Sequence, residues 1–426
     1  MMSLRARSGS EAPSVVDPQS PSLRVLRPRR AAPDHAVRPT RAEIDLGALR
    51  HNLHAVKRAA GPARVWAVLK ADGYGHGAPA VARTLERAGV DGVAVALLEE
   101  AIELRDAGIR APILVMGGYY GQAYDELLAH DLVPVVYDAS HFEGIARALR
   151  VRGMDGCTRV HVKIDTGMSR LGVPLNALPE LLDVAAAFPQ IHVDGVMTHL
   201  SCADHEGTAG DESLAEQLDL FERGLALVRA RGHKPRFVHA ANSAATLRAT
   251  HPGGRDARFD AVRPGIALFG IAPLAATDRG AIELRPALRL RSEIVALRTL
   301  EVGATVGYGA MFRAKRRTIV ATVPFGYADG LSRTLSGTPP GNGGSMLVRG
   351  RRVPIIGALS MDLATIDVTD IPGARVRDEV VALGDQRGPL GHDALSVEEV
   401  ARTSGLIAWD VLTSISRRVP RFYREP

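Results

Sequence analysis

At 426 residues the chain exceeds one typical domain and suits two or three, and 46% hydrophobic residues supply ample core material. Two cysteines, Cys157 and Cys202, give neither a disulfide framework nor metal-ligand spacing, which points to a reducing, cytoplasmic setting; no apolar run approaches the roughly 18 residues that span a membrane. The net charge of +6 does not mark a nucleic-acid binder, because residues 1–40 hold seven arginines against three acids and leave only +2 for the rest.

Residues 1–40, rich in Pro, Ser and Arg, read as a disordered basic tail without the apolar segment of a secretory signal. Order is expected from Arg41, where Ala-Glu-Ile-Asp-Leu alternates as a strand that can join the C-terminal domain. A helix should follow over 47–60, and then the apolar run Val65–Leu69 reads as a buried strand with Lys70 at its end. Three glycines alternate with Asp72, Tyr74 and His76 before a helix near 78–88. An ammonium beside a core strand is costly to desolvate unless paired or neutralised. A Gly-rich turn opening onto a helix offers backbone N–H groups and a positive dipole end to an anion. Together they suggest pyridoxal phosphate (PLP) held on Lys70 as a Schiff base, with a surface lysine after a plain turn as the alternative.

Further on, strands are expected at Gly92–Ala96, Pro112–Met116, Leu132–Tyr137, Arg159–Ile164, Ile191–Met197, Arg236–Ala240 and Phe259–Val262. Helical stretches separate most of them, the longest over about 211–231, and roughly eight repeats match a (β/α)8 barrel over 41–287. From 288 to 426 the runs become short, β-branched and separated by Gly/Pro turns, which indicates a mainly β domain; helices nearly vanish until about 396–415, and Thr403–Ser416 should end the domain as a helix or a buried strand. The fold class is α/β: an N-terminal barrel followed by a C-terminal β domain. Barrel active sites gather at the C-terminal strand ends, where Lys163-Ile-Asp-Thr-Gly-Met-Ser-Arg170, His199, His239-Ala-Ala-Asn-Ser243 and Arg263-Pro-Gly-Ile266 fall.

AVLKADGYGHG, HVKIDTGMSRLG, MTHLS, HAANSAATLR, VRPGIALFG, VGYGA, PFGYADG and SMD stand in the order found in PLP-dependent alanine racemases, a resemblance covering about residues 41–420. It implies a homodimer with shared active sites that interconverts L- and D-alanine by a two-base mechanism and supplies D-alanine for the cell wall. Lys70 resembles the family's Schiff-base lysine. Tyr308 matches the second base, arriving from the partner subunit, and a phenol needs cationic surroundings to serve in that role. Arg263 matches the arginine facing the pyridine nitrogen, with His239 orienting it and His199 beside the ring. Tyr74, Ser243 and the amides of Gly265 and Ile266 match the phosphate grip. Arg170 resembles the arginine that supports the substrate carboxylate, and Lys163 a lysine that is carbamylated in many members. Met361 and Asp362 would come from the other subunit, Met361 as a backbone donor to the substrate carboxylate, and Tyr327 would line the entrance. One position departs from the pattern: Trp409 stands where a tyrosine usually bonds the phosphate and narrows the substrate gate, and indole N–H can donate but not accept. A serine or broad-specificity racemase, a similar PLP-dependent decarboxylase and a non-catalytic PLP carrier are the rival readings.

Overall fold

The computed structural model describes residues 37–117, 123–153, 157–205, 207–248, 255–274, 282–337 and 343–425. The tail expected over 1–40 lies outside the described residues up to residue 36. Order begins before Arg41, since Arg38 pairs with the buried Asp329 at 2.8 Å and Thr40 bonds Ser292 at 2.8 Å.

Strand β1 (Arg41–Asp45) does not enter the barrel. It pairs antiparallel with a C-terminal strand, Leu288–Glu293, and parallel with the last strand, Arg421–Arg424. Asp45 then caps α1 (Leu46–Ala60), its carboxylate accepting from the Ala48 amide at 2.9 Å.

The barrel strands are β2 (Arg64–Val68), β3 (Gly92–Val95), β4 (Ile113–Val115), β5 (Val133–Val136), β6 (Thr158–Asp165), β8 (Ile191–Met197), β9 (Phe237–His239) and β10 (Ala261–Val262), with the two-residue β7 (Val173–Pro174) attached to β6. All pair in parallel in the order β10-β2-β3-β4-β5-β6-β8-β9. Between β9 and β10 the circle is closed by single backbone bonds, Asp260 N–H to the Val238 carbonyl at 2.9 Å and Arg263 N–H to the Ala241 carbonyl at 2.9 Å. The strands are almost wholly buried because helices cover them outside and side chains fill them inside. After α1 and the short α2 (Lys70–Tyr74) come α3 (Ala78–Arg87), α4 (Leu98–Asp106), α5 (Tyr124–Ala129), α6 (Ala139–Val151), α7 (Leu178–Ala186) and α8 (Thr208–Ala230).

The C-terminal domain is antiparallel apart from the pairing of β1 with its last strand. Its main sheet is built on the strands Leu288–Glu293, Ser345–Val348, Arg351–Pro354 and Glu379–Gly388, with Gly391–Leu395 and Arg421–Arg424. A smaller sheet joins the strands Ala296–Leu300, Thr318–Val323 and Ala364–Asp367. The helical segment expected over 396–415 is two helices, Val397–Ser404 and Ala408–Thr413. Gly405, at φ 70° beyond the reach of most side chains, ends the first of them.

Candidate active site

Lys70 does not simply end β2; it opens a tight turn over Lys70–Tyr74 whose backbone is left-handed. Ala71, Asp72 and Tyr74 take φ of 53°, 55° and 51°, and Gly73 takes 62°. Each such non-glycine residue costs on the order of 1–2 kcal/mol, so the surroundings must hold the turn in place. They do so at four points. The Ala78 amide donates to Asp72 Oδ1 at 2.8 Å, and the Ala71 amide donates to Glu100 Oε1 at 2.6 Å. His76 Nδ1 faces the Gly73 and Tyr74 carbonyls at 3.1 and 2.9 Å and so carries its proton there. From the C-terminal domain, Arg421 Nε donates to the Gly75 carbonyl at 3.0 Å.

The other strand ends supply a cationic group around Lys70. Burial, then Arg170, lowers the Lys70 ammonium, while Glu100 opposes them. Burial, followed by Arg263 and Arg170, pulls Lys163 down to about 8. His199 falls to about 3, again through burial and then Arg263, Lys163, Arg170 and Lys70. These mutual effects bring Lys70, Lys163, Arg170, His199 and Arg263 together at one mouth of the barrel. Arg170 is exposed, Lys70 and His199 are half-buried, and Lys163 and Arg263 are buried.

Arg263 is the most constrained of them. Its NH1 donates to His239 Nδ1 at 2.6 Å and to the His239 carbonyl at 3.0 Å; its NH2 donates to the carbonyls of Thr198 and Ala240 at 2.7 and 3.1 Å. None of these acceptors is a carboxylate. Burial lowers its pKa to about 9, which leaves it protonated at neutral pH. A guanidinium only donates, so His239 Nδ1 is bare and its proton lies on Nε2. That proton is donated to His161 Nδ1 at 2.8 Å, leaving the buried Nε2–H of His161 without a partner among the described residues.

Tyr74, Ser243 and Gly265 meet next to this row. Ser243 Oγ accepts from the amides of Gly265 and Ala267 at 2.9 and 3.4 Å. A Cβ on Gly265 would stand 2.3 Å from the Tyr74 hydroxyl, so the phenol lies directly over bare backbone. Ile266 opens the 3-10 turn Ile266–Phe269. Phenol, hydroxyl and amides at the head of a turn are neutral donors suited to an anion.

The remaining sequence-predicted residues lie on the C-terminal domain. Tyr308, Met361 and Tyr327 are 74%, 52% and 40% exposed. The loops of Tyr327 and Met361 are laced together, with the Tyr327 and Ala328 amides donating to the Ser360 and Met361 carbonyls at 3.1 and 3.0 Å. Asp362 accepts from Arg418 at 2.6 Å, which also approaches the buried Asp329. Trp409 is half-buried on the helix Ala408–Thr413, which packs on the Lys70–Tyr74 turn. Sequence reading missed Gln217 of α8, which grips the loop carrying His199: its Nε2 donates to the His199 carbonyl at 3.3 Å, and its Oε1 accepts from Ser201 N–H at 2.8 Å. Glu100 and His161 were missed likewise, for nothing in their residue type separates them from helix-surface and core residues.

A barrel whose mouth sets a lysine and an inward arginine beside a neutral anion cradle, continued by a β domain, defines a two-domain class of barrel proteins with a candidate anion site at the strand ends. The family model described as alanine racemase, N-terminal domain, matches residues 44–273, and its C-terminal counterpart matches 287–423. An alanine racemase of Sorangium cellulosum is 56% identical over 397 residues, covering 92% of this chain and 100% of that protein; one of Geobacter sulfurreducens is 39% identical over 398 residues, covering 91% and 98%. Among solved structures, alanine racemase from the D-cycloserine producer Streptomyces lavendulae gives a TM-score of 0.82 at 33% identity, over 91% of this chain and 98% of that one. The enzyme from Bartonella henselae, described with covalently bound pyridoxal phosphate, gives 0.76 at 28% identity over 91% and 99%. The chain belongs to the alanine racemase family, whose members are isomerases.

Proposed function

We infer that the chain interconverts L- and D-alanine with PLP on Lys70, and that Lys70 and Tyr308 of the partner subunit serve opposite faces of the substrate. The observation that carries the assignment is Arg263, a buried cation bonded to three carbonyls and one histidine with no carboxylate among them. Its natural complement is a neutral acceptor such as an unprotonated pyridine nitrogen. The cradle of Tyr74, Ser243, Gly265 and Ile266 would hold the phosphate, with Trp409 bordering it, and His199 would lie against the ring.

Bound there, PLP would supply the electron sink that lets an α-proton leave. Lys70 Nζ takes and returns that proton on one face, helped by burial and Arg170, which favour its neutral amine. Inversion requires delivery from the other face, where Tyr308 would act. Arg170 would hold the substrate carboxylate with the Met361 amide; Lys163, once carbamylated and so anionic, would position Arg170, and Asp362 would hold Arg418. The exposed row of Tyr308, Met361 and Tyr327 suits burial against a second copy of the chain, giving a homodimer with shared sites. We take the barrel as 41–287 and the β domain as 288–426, with β1 belonging structurally to the latter, and place the enzyme in the cytoplasm.

Borohydride reduction of the yellow protein followed by peptide mapping tests the assignment: the label should sit on Lys70, and any other position overturns it. Incubating single L-amino acids in deuterium oxide tests the substrate, because equal α-exchange on alanine and larger substrates would favour the broad-specificity reading. One methylene is worth only about 1–3 kcal/mol in such a pocket.

A further inference from the structure

Glu100 is the third residue of α4, and its carboxylate accepts three backbone N–H groups. Oε2 takes those of Ala96 and Leu97 at 2.9 and 3.0 Å, which caps its own helix. Oε1 does something different. It takes the Ala71 amide at 2.6 Å, and that amide belongs to the peptide bond immediately following Lys70. This is the entry to the left-handed turn, where Ala71 sits at φ 53° and ψ 51°. The two carboxylate oxygens therefore tie the end of β2 to the end of β3 through one side chain.

We propose that Glu100 is a positioning residue for Lys70, fixing the peptide after it in the left-handed turn and setting a negative charge beside the lysine–cofactor link. The proposal rests on Lys70 carrying the cofactor. A carboxylate is the group both tasks need. The primary amide of glutamine has one accepting oxygen and an NH2 that can only donate, so it would leave either the Ala71 amide or the Ala96–Leu97 pair facing a donor. Aspartate keeps the charge but is one methylene too short to span both sides. The charge also bears on its neighbours: Glu100 opposes the lowering of Lys70 by burial and Arg170, and reinforces burial in raising Tyr74. Among the described residues whose charge acts on Lys70, it is the anion.

The test uses holoenzyme carrying Glu100→Gln, Glu100→Asp or, as a control on the same helix, the exposed Glu99→Gln. Three quantities are read: the pH midpoint of the visible absorbance, the rate at which bound cofactor passes to a trap, and the melting temperature. Glu100→Gln should lower the spectral midpoint by about one pH unit and speed cofactor release about tenfold or more, while Glu99→Gln moves neither. Glu100→Asp should hold the midpoint near wild type yet speed release, separating charge from reach. A Glu100→Gln enzyme that melts earlier but keeps wild-type midpoint and release would make Glu100 a helix cap only. If that variant fails to fold, unchanged release in Glu100→Asp overturns the proposal in its place. Borohydride mapping of the same preparations separates the two claims, since label away from Lys70 sinks the site assignment and not the tie between the strands.

Discussion

Replacing the imidazole at the end of the Arg263–His239–His161 row should remove a proton from the unfolding reaction. Burial holds His161 down to about 3 from an ordinary 6.5, against a smaller upward pull from Asp194. A depressed folded value means that the unfolded chain binds more protons between those two pH values. The stabilisation is therefore complete above pH 6.5 and is lost as pH falls toward 3. At pH 5 an unfolded histidine is about 97% protonated and the folded His161 essentially bare, so unfolding takes up about one proton there. Integrated from pH 6.5 to 5, that one residue costs about 2 kcal/mol. His76, held down to about 4 by burial, and His199, at about 3, add similar amounts. The three together approach about 6 kcal/mol, comparable with the whole stability of many proteins. The assay is pH-stat titration of proton uptake on unfolding in urea at pH 5, comparing wild type with His161→Phe. Phenylalanine suits the site because His161 packs on Phe237 and Trp66 with ring centroids at 5.9 and 5.6 Å. The variant should take up about one proton fewer per chain, and it should lose about 1–3 kcal/mol because His239 Nε2–H is left unpaired. Equal uptake by the two proteins would refute the buried, neutral histidine and the direction of the whole row.

Other consequences are open to measurement. Gly265→Ala should displace the Tyr74 hydroxyl, which stands 2.3 Å from where the added methyl would lie, and weaken PLP binding at least tenfold by equilibrium dialysis; an unchanged affinity would remove Tyr74 from the grip. Lys163, at about 8, is roughly 10% unprotonated at pH 7, far more than an ordinary lysine, so 13C-bicarbonate should give a carbamate resonance that grows with pH and is absent in Lys163→Met. Trp409→Tyr should shift cofactor affinity or the preference for small substrates several-fold, and no change in either would leave Trp409 a packing residue. Mixed dimers of Lys70→Ala and Tyr308→Ala chains should regain about a quarter to a half of a wild-type dimer's activity, since one of their two sites would be intact; silence despite demonstrated mixing would place Tyr308 outside the shared site.

Much of the barrel was legible because its strands carry a local signature. Runs such as Val65–Leu69 and Ile191–Met197 are largely apolar, and a charged or imidazole side chain stands just beyond them. The site residues at those ends follow from the same logic, since an expensive group at the end of a buried strand needs a reason. What the sequence hid is non-local or conformational. Three non-glycine residues, Ala71, Asp72 and Tyr74, adopt positive φ, against their intrinsic preference. Tertiary partners hold them, and those lie 29 residues away at Glu100 and 346 away at Arg421. The break at Gly405 was hidden in the same way, because the sequence pattern over 396–415 shows no division and the structure forms two helices there.

The distances along the chain also say why the lysine turn needs the second domain. β1 runs in the C-terminal sheet, where buried Glu43 meets Arg41, Arg289, Arg291 and Arg424 at 3.0, 3.5, 3.4 and 3.0 Å. Arg289 and Arg291 also meet Glu379, whereas Arg424 of the last strand meets Glu43 of the first, so those two strands are bound by charge as well as by their ladder. At the end of β1, Asp45 caps α1, and α1 packs on α3 and on the 3-10 turn that follows Gly265. Arg421, in the partner strand of β1, reaches back to Gly75. A Cβ on Gly75 would lie 2.4 Å from the Leu412 carbonyl, so the Ala408–Thr413 helix is pressed against the same turn. The left-handed geometry that aims Lys70 is therefore braced from the barrel by Glu100 and from the β domain by Arg421 and Leu412. An isolated barrel would keep the lysine and its neighbours Lys163, Arg170, His199 and Arg263 but lose the braces that Arg421 and Leu412 supply.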